Sequence, residues 1–75
     1  MDMADVVIGI KETVDHDRRV EIADAIRAQT GVMGVAHHDD KPHLLLVEYN
    51  PAEVHAKDLL QVALDKGVHT QLVGL

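Results

Sequence analysis

The sequence predicts an α+β domain running strand, helix, strand, strand, helix, strand, with a four-stranded antiparallel sheet and both helices on one face. Three observations carry this expectation. Short aliphatic runs with strand-like alternation bracket two stretches whose apolar residues recur every three to four positions. Each helical stretch ends at a glycine, Gly31 or Gly67, and the two middle runs are joined by the turn-forming Asp39-Asp40-Lys41-Pro42. With 75 residues, one domain spanning 1–75 is expected, with no second catalytic domain within it.

The first strand is read from Val6 to Lys11, with Val6, Ile8 and Ile10 at alternate positions. Polar residues follow, and Asp15 or Asp17 can cap a helix by accepting from its free N–H groups. In that helix Ile22, Ala25 and Ile26 share a face, flanked by Val20 and Ala23, with Glu21, Asp24 and Arg27 outside it. Val32 to His38 and His43 to Tyr49 form a hairpin, and Asn50-Pro51 ends it because proline cannot continue a ladder. Leu59, Leu60, Val62, Ala63 and Leu64 mark the second helix, with Val54 placed to staple against Leu59. Val68 to Val73 is the last strand.

For this order of elements the favoured arrangement is the split βαβ, or ferredoxin-like, βαββαβ fold, with strand order 4-1-3-2. Alternation places Val6, Ile8, Ile10, Leu45, Val47, Tyr49, Val68, Thr70 and Leu72 toward the helices. Leu44, Leu46, Val7 and Val73 then lie on the uncovered face, a candidate surface for self-association or for a partner protein.

Composition narrows function. Thirteen acidic residues against seven Lys and Arg give a formal charge of −6, and Tyr49 is the only aromatic ring among Phe, Trp and Tyr, so no nucleic-acid partner is expected. Leu44 and Leu46 stand where an RNA-binding sheet would carry aromatics. The acidic start Met1-Asp2-Met3-Ala4-Asp5 is unlike a signal peptide and no run is long enough for a membrane span, so a cytoplasmic location with no membrane partner is expected. There is no cysteine, which leaves only N and O atoms to hold a metal.

The predicted topology gathers histidines. His16 in the first loop, His37, His38 and His43 around the hairpin, and His69 before the last strand all fall at one end of the sheet, with His55 at the other. A four-residue turn would pair His38 with His43, and a five-residue connection would pair His37 with His43. Either places two imidazoles about 4.5–5.5 Å apart at Cβ. With Asp15, Asp17, Asp39 or Asp40 adding oxygen, such a set suits Zn, Ni, Co or Cu(II) better than Cu(I). The same six histidines are also compatible with ordinary polar loop ends, because no closed metal signature is present. Protonating all six would bring the net charge near zero, so solubility and imidazole-bound metal should both fall as the pH drops through about 6.5.

Four motifs, in order, carry a family resemblance. These are Ile22-Ala23-Asp24-Ala25-Ile26, Gly31-Val32-Met33-Gly34-Val35, Val47-Glu48-Tyr49-Asn50-Pro51, and Leu59, Val62 and Ala63 followed by Gly67. From Ile10 to Gly67 the chain resembles the heavy-metal-associated domain of copper chaperones and of metal-transporting P-type ATPases. The resemblance implies the same fold and either metal handling or docking onto a related metal-transport protein. Asp15-His16-Asp17-Arg18 stands where that family has Cys-x-x-Cys, so no Cu(I)-thiolate site is implied, and the fixed charge of Arg18 opposes a nearby cation.

No enzymatic activity is expected. An acylphosphatase-type anion loop would be repelled by Asp15 and Asp17, Asn50 lies at the wrong end of the sheet, and no nucleophile–base set exists. Two functions remain: transition-metal binding through His and Asp, or a metal-free interaction or oligomerisation module that uses the open sheet face.

Overall fold

The computed structural model describes residues 3–73; Met1 and Asp2, part of the start read above, lie outside the described residues. The elements are β1 (Ala4–Ile10), α1 (His16–Arg27), β2 (Val32–His37), β3 (Leu44–Tyr49), α2 (Ala56–Asp65) and β4 (Thr70–Val73). The sheet order is β2-β3-β1-β4 with every neighbouring pair antiparallel, which is the expected ferredoxin-like arrangement. No described helix is long and apolar enough to cross a membrane.

Local chemistry sets the helix ends. Asp15 is the cap of α1, its carboxylate accepting from the Arg18 N–H at 2.8 Å, and Asp17 lies in the first turn beside the positive end of the helix dipole. His55 precedes α2 with its N–H donating to Asp58 at 3.1 Å, while Val54 and Leu59 are buried in the same core as a staple requires. Gly31 has φ +93°, and a Cβ there would stand 2.8 Å from that of Glu53, so both conformation and space reserve the position for glycine.

The buried hydrophobic residues are all aliphatic. Ile8, Leu45 and Val47 of the sheet meet Ile22, Ala23 and Ile26 of α1 and Leu59 and Ala63 of α2, all with no exposed surface. Two expected positions differ. On α1 the buried stripe is Arg19, Ile22, Ala23 and Ile26, with Ala25 only half-buried, because the face spaced i, i+3, i+4, i+7 is rotated toward Ala23. Leu72 pairs with Ile8 and shares its face, yet stays 49% exposed because it lies on the edge strand.

The hairpin register also corrects the sequence reading. His37 pairs with Leu45 and Ala36 with Leu46, so neither His37 nor His38 stands opposite His43. The connection contains two successive turns, closed by Lys41 N–H to the His38 carbonyl at 3.1 Å and Leu44 N–H to the Lys41 carbonyl at 3.1 Å. Pro42 has no N–H for a ladder, so the second turn absorbs it together with His43.

Candidate functional site

The C-terminal ends of β1 and β2, the start of β3 and the start of β4 meet at one pole, beside the first turn of α1. Arg19 is its centre. It lies on the buried stripe of α1, and its side chain is 3% exposed. Its Nε donates to His37 Nδ1 at 3.1 Å, and one terminal nitrogen donates to the Asp39 carboxylate. Asp39 also takes a hydrogen bond from His16 Nδ1 at 2.9 Å, and the His16 and His37 rings lie 6.1 Å apart between centroids. Because His16 Nδ1 carries the proton given to Asp39, its 3.4 Å contact with Arg19 is proximity rather than a second hydrogen bond.

His37 reaches Arg19 because strand alternation turns it, like its partner Leu45, toward the helices. His38 turns the other way and lines a shallow depression of about 260 Å³ on the open sheet face with Val7, Ala36, Leu44, Leu46 and Lys41, a depression that His37 also borders. His43 is held against β1 by its Nδ1 at 3.2 Å from the Ile10 carbonyl. His69 is bound to Glu12 twice, through its backbone N–H at 2.7 Å and its Nδ1 at 2.5 Å. Arg18 donates to the Lys66 carbonyl, where a cation is favoured at the end of α2, and pairs with Glu21 at 2.5 Å.

Of the expected ligands, then, only His16 and His37 approach one another. Asp15 is committed to the helix cap, His38 is on the other face of the sheet and His43 is on a backbone carbonyl. Among the described residues no three His, Asp or Glu side chains are grouped so as to hold a metal. The space between His16, His37 and Asp39 is taken by the Arg19 guanidinium, a permanent cation. Since His37 accepts at Nδ1, a neutral ring carries its proton on Nε2 and has no free lone pair to offer. A metal therefore does not fit these donors as they are arranged. Arg19 had one signal in the sequence: it sits three residues before Ile22, on the stripe that must be buried.

The electrostatics of the pole make it acid-sensitive. Burial lowers the His37 pKa by penalising the charged ring; the charges of Arg19, His16 and Arg27 act in the same sense and Asp39 opposes them. Folding thus favours the neutral ring, so its contribution is complete above about pH 6.5 and is lost as the pH falls through that value. Asp39 is lowered chiefly by its hydrogen bond with His16, and Glu12 chiefly by its hydrogen bond with the His69 side chain. Those contributions are present above about pH 4 and are lost as the pH falls further, through the lowered values. The urea midpoint should fall in two stages on acidification, and His37→Gln should remove the first. A midpoint that is constant between about pH 8 and pH 5 would contradict this.

No protein-family model matches the chain, and no curated protein matches it. Solved structures do. Oxidized MerP from Ralstonia metallidurans CH34 aligns with a TM-score of 0.88 at 15% identity, covering 97% of this chain and 100% of that one. The N-terminal domain of a potential copper-translocating P-type ATPase from Bacillus subtilis, in its Cu(I)-loaded state, gives 0.84 at 20% identity, covering 97% and 90%. The yeast copper transporter domain Ccc2a gives 0.82 at 18%, covering 93% and 94%. At these identities the likeness is one of fold. The chain has the fold of heavy-metal-associated domains, and it has it without a cysteine.

Proposed function

We propose that this chain serves in metal handling through protein contact, as an interaction domain that uses its open sheet face rather than as a carrier of metal ions. The observation that supports this reading is the Arg19 guanidinium lying between His16, His37 and Asp39, where a bound cation would have to stand. The fold relates the chain to domains named for copper. The contact surface is the row Ala36, Leu46, Val7 and Val73, four residues in cross-strand register with Leu46 40% exposed, and Leu44 two residues further along β3.

A second reading is transition-metal capture by the sequence-derived set His16, His37, His38, His43 and Asp15. It is favoured by the 6.1 Å separation of the His16 and His37 rings, and it requires Arg19 to withdraw. One titration separates the two. Metal-stripped protein is titrated with Zn, Ni, Co or Cu(II) while the imidazole resonances are followed by NMR. The interaction reading expects no selective shift among the five pole histidines. Joint shifts of His16 and His37 at stoichiometric metal would overturn it in favour of metal capture.

A further inference from the structure

The open face of the sheet is ordered in rows. Register places Asp5 directly opposite Glu48, with Gly34 beyond; the next row is Ala36, Leu46, Val7 and Val73; the third contains Leu44, Gly9 and Gln71. His38 and Lys41 stand beside Leu44 at the hairpin end, where they line the depression. The face therefore reads acidic at one end, apolar across the middle, and carries a lysine and a histidine at the other.

Its charges are unmatched within one chain. Like charges directly opposite each other across two strands are destabilising, and Asp5 and Glu48 are such a pair. Among the described residues neither is in an ion pair, and neither is Lys41. Glu48 and Leu44 lie two residues on either side of Leu46, about 6.6 Å along the strand in each direction.

We propose that the occupant of this face is a second copy of the same chain, packed face to face about a two-fold axis that runs along the Ala36, Leu46, Val7, Val73 row. This deepens the interaction reading and rests on it. Rotation about that axis keeps each apolar residue of the row over the partner's row and reverses the strand direction. It carries Glu48 of one copy over Leu44 of the other, beside the partner's Lys41, and Asp5 over Gly9, and the same pairing recurs on the far side of the axis. Both lysines are thereby matched to a Glu48 of the other copy by a single isologous operation, which also draws Glu48 away from sole company with Asp5. Across a sheet separation of about 10 Å, lysine and glutamate side chains span the gap.

The size of the face sets the strength. Four strands about 4.8 Å apart and some 20 Å long present a footprint of about 400 Å², well below the roughly 800 Å² per partner of a standard interface. Two chains of charge −6 also repel. Association is accordingly weak, with a dissociation constant on the order of 100 μM.

The test is sedimentation of the full chain from about 10 μM to 1 mM in low and moderate salt. Lys41→Glu and Glu48→Lys, both at exposed positions, should each weaken self-association at least fivefold (roughly 1 kcal/mol), because each then sets like charge against like in the partner. An equal mixture of the two single variants should associate like the parent protein, since each mixed pair restores both contacts. A parent that stays monomeric at about 1 mM, single variants that associate as well as the parent, or a mixture that fails to recover would each overturn the two-fold arrangement. So would undiminished association of Leu46→Asp, which would place the contact elsewhere. None of these outcomes bears on the metal titration, so the failure of this inference is distinguishable from the failure of the interaction reading.

Discussion

Arg19→Ala is expected to cost about 2–4 kcal/mol of folding stability, an effect of core size from a charged residue. Two losses add. The side chain packs on the buried stripe of α1, so truncation removes its aliphatic stem and leaves a void beside Ile22 and Ala23. It also strips the half-buried His37 Nδ1 of its donor and Asp39 of its cation, which unties the hairpin from α1. The Asp39 carboxylate itself is 78% exposed and regains water, so the penalty is smaller than for an ion left fully buried. Arg19→Met keeps the stem and removes the charge, and should recover at least half of the loss. It should also change the chemistry of the pole. With the guanidinium gone, His37 regains a free ring nitrogen near His16 and Asp39, and Zn affinity should rise at least tenfold, about 1.4 kcal/mol. Urea unfolding reads the first effect and metal titration followed by imidazole NMR reads the second. If the parent and Arg19→Met bind Zn alike, Arg19 is not what excludes the ion.

The fold was legible because it depends on local patterns that each leave a mark. Alternation in β1 and β3 assigns Val6, Ile8, Leu45 and Val47 to the core, and all four are buried there. Gly67 follows the cap of α2 with positive φ, as expected, whereas α1 already ends at Arg27 with Ala28 as its cap, and Gly31, also at positive φ, instead turns the chain into β2. The histidine pole was legible as topology but not as geometry. That His37 and His38 point to opposite faces follows from the period of two, yet which of them meets His43 depends on how many residues the turns absorb, and neither does. Side-chain partners were less legible still. Arg19 and Asp39 are 20 residues apart and join only after α1 has been laid against β2, so nothing local marks them except a charge on a buried stripe. Asp15, expected either as a cap or as an oxygen ligand, turned out to cap α1, where its carboxylate is already engaged.

Adjacent residues of β3 provide the second large effect and its control. Leu45 has no exposed surface and stands between Ile8 on β1 and His37 on β2, so it joins the centre of the core to the pole. Leu45→Ala should cost about 3–4 kcal/mol through lost burial and the cavity left behind. A 75-residue domain has a total stability of about 4–11 kcal/mol, so this single change removes a large part of it. Leu46 is one residue away on the opposite face and 40% exposed. Leu46→Ala should shift stability by less than about 1 kcal/mol, while weakening self-association through the apolar row. The two variants therefore exchange roles: one unfolds at lower urea, and the other folds like the parent and sediments as a monomer. Equal destabilisation by both would mean that Leu46 is buried within one chain. In that case the apolar row would belong to the core of the monomer and would not be a surface awaiting a partner.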